Sequence, residues 1–154
     1  MISRCWMKSQ KGDRVFGAQK KVSKVGRQAW RVSTLICRAL RAKDENAAWK
    51  CVTVLHLRGT KEVFLAAADL CESSEVRKRR LGAAILGQLG TPGRPFRSES
   101  LKIIHEMLGK EASAHVLNSI LIAIGHCQRS RDNYGLKTIS LLKDHSSQAV
   151  RFGW

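Results

Sequence analysis

Ser74-Glu75-Val76-Arg77-Lys78-Arg79-Arg80-Leu81-Gly82-Ala83-Ala84-Ile85-Leu86-Gly87-Gln88-Leu89-Gly90 is the stretch on which the fold turns. A serine able to cap a helix is followed by a run with helical spacing of apolar residues and by a glycine able to stop it. The pattern returns from Ala114 to Ile120-Leu121-Ile122-Ala123-Ile124-Gly125, and the two terminal glycines lie 35 residues apart. A third opening, Ser147-Gln148-Ala149-Val150-Arg151, repeats the start. Repetition at this period marks stacked helical hairpins, so the expected fold is all-α, an α-α superhelix of about three helix pairs.

The neighbouring segments agree with that reading. Val32, Leu35, Ile36 and Ala39-Leu40 recur on one helical face. Asp44 offers an N-cap, Ala48, Trp49, Val52 and Leu55 form the next stripe, and Gly59 supplies a left-handed stop. Lys61 to Cys71 repeats the pattern with Val63, Phe64, Ala67 and Leu70. Thr91-Pro92-Gly93-Arg94-Pro95 holds both prolines and reads as a loop. Ser98 is then expected to cap a helix closed by Gly109, and Ser113 to open one closed by Gly125. Arg129 to Asn133 read as a polar link, and Leu136, Ile139, Leu141 and Leu142 as a further helix. No stretch reads as a strand.

Charge is distributed unevenly. The chain carries a formal +16, of which residues 1–43 supply +11 from twelve basic side chains and one acid. Residues 1–29 are glycine-punctuated and weakly periodic, which predicts a basic, flexible arm, with the repeat domain spanning 30–154. The five cysteines form no close pair, as expected of reduced thiols in the cytoplasm. Arg4, Lys8, Lys11 and Arg14 interrupt any signal-peptide core, and no run reaches the roughly 18–20 apolar residues of a membrane span. Cys37, Cys51 and Cys71 fall on apolar stripes and are expected to be buried.

Val76-Arg77 followed by Leu86-Gly87-Gln88-Leu89-Gly90 resembles the second helix of a HEAT repeat of the short bacterial type first noted in phycobilisome lyases. Trp49, Leu55-His56-Leu57-Arg58-Gly59-Thr60, Glu62-Val63-Phe64, Pro95-Phe96 and Ala123-Ile124-Gly125-His126 extend the likeness to bacterial HEAT-repeat domain proteins over roughly residues 33–152. The resemblance implies an armadillo-like stack of helix pairs that presents its second helices to a protein partner. Residues 1–32 match nothing in that family. Its members continue beyond Val150-Arg151, so a stack truncated at its C-terminus is expected. Phe152 and Trp154 would fold onto the open end, or two chains would pair there as a homodimer.

The sharpest candidate site is Arg77, Lys78, Arg79 and Arg80. Four cations in the first turns of a helix face the positive end of its dipole and invite an acidic partner, although runs of charge are commonly only solvated surface. Lys20, Lys21, Lys24, Arg27 and Arg31 form a second set suited to polyanions. Chemistry is not expected. His105-Glu106 lacks the second histidine of a metalloprotease helix, because position 109 is glycine. His115 and His126 lie about 16 Å apart along a helix, too far to share one metal. Gly82, Gly87 and Gly90 lack the lysine and hydroxyl of a phosphate loop, so no cofactor is implied. The expected function is a noncatalytic protein-interaction scaffold for an acidic surface. The alternative is a nucleic-acid-binding helical module. A basic, all-α DNA glycosylase fold offers an analogy for it, but the carboxylate and aromatics of that enzyme cannot be placed here.

Overall fold

A computed structural model describes residues 31–127, 139–140 and 142–151 of the chain. Among the described residues seven helices are placed: α1 (Val32–Arg41), α2 (Glu45–Arg58), α3 (Lys61–Cys71), α4 (Val76–Gln88), α5 (Arg97–Leu108), α6 (Ala114–Cys127) and α7 (Gln148–Arg151). Among the described residues there is no strand. The expected arm at 1–29, the link at 129–133, most of the helix over 136–142, and the Phe152 and Trp154 cap lie outside the described residues. No helix among the described residues is long and apolar enough to cross a membrane.

Local chemistry sets several of the boundaries. The Ala47 N–H donates to the Asp44 carboxylate at 2.8 Å, and Gly59 closes α2 with φ 54°. Thr60 then caps α3, its hydroxyl accepting from the Val63 N–H at 3.4 Å. Three serine and glycine expectations fail. Ser74 does not cap α4. Glu75 holds the N-cap position without a side-chain bond, and the Ser73 and Ser74 carbonyls accept from the Arg79 guanidinium at 3.0 and 2.8 Å, which holds that turn outside the helix. Ser98 lies inside the first turn of α5, because Phe96, stacked on Phe64 with ring centroids 5.0 Å apart, fixes the start of that helix. Gly125 does not end α6. The helix runs on to Cys127, and the His126 and Cys127 carbonyls accept from Arg94 and from Arg97 Nε, the latter at 2.7 Å. Guanidinium groups thereby stand at the negative end of the helix dipole. Gly109 follows α5 in a right-handed conformation, φ −72°.

Neighbouring helices pack on one another. Helices pair as α1 with α2, α3 with α4, and α5 with α6. Between pairs, α1 meets α3 and α3 meets α5, α2 meets α4 and α4 meets α6, and α4 also meets α5 and α1. The deeply buried side chains of Leu55, Val63, Ile85, Leu86, Ile104, Val116 and Ile120 join the helices in one core. α7 lies on α6, with Val150 buried.

α4 holds the centre because two of its faces carry no side chain where its neighbours come closest. A Cβ at Gly82 would stand 2.7 Å from Cys71 Sγ and 2.8 Å from the Ala67 carbonyl oxygen of α3. One at Gly87 would stand 2.8 Å from the Ala123 Cα of α6. The ends of α2 and α4 also meet, since the Gly90 N–H donates to the His56 carbonyl at 2.8 Å. There a Cβ on Gly59 would lie 2.6 Å from the Gly90 Cα.

His56 is the buried polar link between those two helices. It is 5 % exposed, its ring meets Trp49 edge-on at 5.5 Å, and its Nε2 lies 2.9 Å from the Ala84 carbonyl oxygen. A carbonyl can only accept, so Nε2 carries the proton and donates. Desolvation by burial is the largest influence on the ring and outweighs the opposing Ala84 bond, with smaller lowering from His126 and Arg94, so its pKa falls from 6.5 to about 4.

Two predictions follow from this core. Gly87→Ala costs about 1–3 kcal/mol by overpacking against α6, whereas Gly125→Ala, where an added Cβ meets nothing within 4 Å, gains roughly 0.5–1 kcal/mol in helix propensity; urea unfolding of both variants checks the contrast. For His56 the folded pKa lies below the unfolded one, so its contribution is complete above pH 6.5 and is lost as the pH falls toward about 4. Stability therefore drops by about 2 kcal/mol between pH 7.5 and pH 5 on this account, and His56→Gln removes most of that slope in urea titrations at the two pH values.

Candidate functional site

The second helices of the three pairs leave a trough on one side of the molecule. Its volume is about 470 Å³. One end is the α1–α2 turn, with Lys43, Asp44 and Glu45. The floor crosses α2, α4 and α6 through Trp49, Leu81, Ala84, Gly87, Ile122 and Ala123, and His126 stands at the far end. Trp49, Leu81, Ala84 and Ile122 are each half-buried, so apolar surface remains in contact with solvent within a concavity.

The four cations at the start of α4 do not act as one patch. Arg77 and Arg80 line the trough, whereas Lys78 and Arg79 are not part of its lining. Arg77 Nη2 donates to the Leu40 carbonyl at 2.8 Å, at the C-terminal end of α1, where the helix dipole favours a cation. Arg80 pairs with Glu45 at 2.9 Å, and both side chains are well exposed. Lys78 pairs with Glu75.

Arg79 is a structural residue. Its guanidinium grips Glu111 through Nε at 2.7 Å and Nη2 at 3.1 Å. The Glu111 side chain is 5 % exposed and also accepts from the Ser113 N–H at 2.8 Å. The bond from Arg79 is the main reason the Glu111 carboxyl is held below its usual range, against the opposing effect of burial. The run of charge thus fixes the start of α4 to α1, to α2 and to the α5–α6 turn, which offsets the cost of placing cations at a helix N-terminus.

Of the second predicted set, Arg31 is described. It is exposed and holds the N-cap position of α1 without a side-chain bond. Lys20, Lys21, Lys24 and Arg27 lie outside the described residues.

The cysteines divide differently from the expectation. Cys37 is exposed because the inward face of α1 is taken by Val32, Leu35 and Ala39, and Cys51 is half-buried on α2, whose buried positions are Val52, Leu55 and His56. Cys71 and Cys127 are buried. Burial, with Glu72 adding to it, pushes the Cys71 thiol up to about 12. Burial also raises Cys127, against the opposing charges of Arg94 and Arg97. Neither presents a thiolate at neutral pH. Among the described residues, no three His, Cys, Asp or Glu side chains come together in a way that could hold a metal ion.

Sequence reasoning missed three members of the trough. Lys43 carries no local motif, His126 reads only as a rejected metal ligand and as part of a family likeness, and Trp49 reads only as core. All three become neighbours of one cavity only once α2, α4 and α6 lie side by side.

No protein family, curated protein or solved structure matches this chain.

The Arg79 assignment is open to a double-mutant cycle. With Arg79→Met and Glu111→Gln, a coupling of about 1–2 kcal/mol in urea unfolding is expected. If Arg79 instead stood ready for a partner, each single change would stay within about 0.5 kcal/mol.

Proposed function

We propose that this chain is a noncatalytic HEAT-like scaffold whose second helices bind an acidic protein surface. The observation that carries the reading is the trough. It combines a half-buried tryptophan with two arginines on a concave apolar floor, and Trp and Arg are the residue types that most often dominate protein interfaces. The alternation of first helix on first helix and second on second supports a short superhelix of three pairs, α1–α2, α3–α4 and α5–α6. The free thiols and the buried, protonated Cys71 suit a reducing cytoplasm.

One observation favours a second reading. α1 contains no acid, and Arg31, Arg38 and Arg41 are exposed at spacings that place them on one side of it, continuing the basic charge of residues 1–29. That ridge would suit a nucleic-acid backbone.

The two readings part in one experiment. Arg77→Glu combined with Arg80→Glu should weaken a protein complex at least about tenfold while leaving the helical circular dichroism unchanged. Nucleic-acid binding would survive that change, fall steeply with salt and disappear on deletion of residues 1–29.

A further inference from the structure

Among the described residues, the charges at the trough are not balanced. Both acids at its edge are engaged: Asp44 accepts from the Ala47 N–H at 2.8 Å as the cap of α2, and Glu45 pairs with Arg80 at 2.9 Å. Lys43 and Arg77 have no carboxylate partner among the described residues. Arg77 spends one guanidinium nitrogen on the Leu40 carbonyl. A guanidinium carries five N–H donors, so most of its hydrogen-bonding capacity faces outward. Two cations therefore sit at one end of an apolar floor, on a chain of net charge +16.

The floor has a length that can be bounded. α4 lies between α2 and α6, and two helix spacings of about 8–10 Å give roughly 16–20 Å across it. An extended chain rises about 3.3 Å per residue, so the floor spans five to six extended residues on that basis. The volume, about 470 Å³, falls in the range of pockets that bind specific ligands. The half-buried Trp49, Leu81 and Ile122 supply the apolar contact.

We infer that the trough takes an extended acidic segment of a protein partner, with one bulky apolar side chain on the Trp49, Leu81 and Ile122 floor and carboxylates at Lys43 and Arg77. The inference rests on the scaffold reading above and adds the chemistry of what is bound. Neither part of such a segment suffices by itself. A carboxylate pair at an exposed rim contributes little on its own. An apolar side chain alone leaves the two cations without counter-charge.

Fluorescence anisotropy on the full chain tests it with four labelled probes. The first is a hexapeptide with Leu-Phe at its centre and two glutamates on each side. The second replaces Leu-Phe with Gly-Gly, the third replaces the glutamates with lysines, and the fourth is a twelve-residue oligothymidylate. The first peptide is expected to bind at least about tenfold more tightly than the other two peptides. Trp49→Ala should weaken it about tenfold, the scale of losing an interfacial anchor. Lys43→Glu alters an exposed side chain, so it reports on the rim even if Trp49→Ala, or Arg77→Glu with its lost bond to the Leu40 carbonyl, disturbs the fold; each charge reversal should weaken the same peptide severalfold. Equal binding of the Gly-Gly peptide or the oligothymidylate would overturn the inference in favour of general polyanion attraction. So would no binding by any peptide, or binding indifferent to all three substitutions. A native protein complex lost with Arg77→Glu and Arg80→Glu but untouched by Trp49→Ala would remove the apolar anchor and leave the scaffold reading standing.

Discussion

The approach of α4 to its two neighbours through Gly82 and Gly87 governs the rest of the structure. At both points the clearance for a side chain is below 3 Å, so the backbones meet where other helix pairs would interpose side chains. That closeness places Ile85 and Leu86 deep in the core and lets Ala83 be fully covered. It also brings the carbonyls of Leu86 and Gly87 within reach of the Cys127 thiol, at 3.7 and 3.2 Å. The glycines weaken α4 as an isolated helix; tertiary contact on two sides more than offsets the loss.

Around that spine the arginines act as staples. Arg77, Arg79 and Arg80 fasten the N-terminal turns of α4 to three different parts of the chain. Arg94, in a left-handed conformation at φ 49°, reaches the carbonyls of Gly87 and His126, and Arg97 reaches that of Cys127. Helix ends leave carbonyls without partners inside the helix, and a guanidinium can serve several at once. Part of the basic composition thus holds the fold together, and Arg77 does so while lining the trough beside Lys43.

Helices were legible from the sequence because the stripes of Val52 and Leu55, of Val63 and Ala67, and of Ile120 and Ile124 repeat at helical spacing, and all of these residues are buried. Asp44 and Gly59 were legible because cap chemistry is local. Ser74, Ser98 and Gly125 misled for a shared reason. At each, a side-chain contact outside the capping pattern outweighed that signal: Arg79, five and six residues on, at the Ser74 and Ser73 carbonyls, and, from about 30 residues away, Phe96 on Phe64 and Arg94 and Arg97 on the end of α6. The candidate site was half legible. The interest of Arg77 and Arg80 could be read from their clustering, but the division of labour between them and Arg79 depends on Glu111, which is 32 residues away. Lys43 and His126 enter the trough through packing alone.

Ala84, Gly87 and Ala123 give the middle of the trough a floor of groups that have no rotamers. Nothing there can swing aside or needs to be frozen when a visitor arrives. Association at such a surface would carry little ordering penalty on this side, so any selectivity would come from the visitor's own shape and from how readily it lies straight. A flexible guest would bear nearly the whole entropic cost of docking, and one already held extended by its parent protein would seat with a clear advantage.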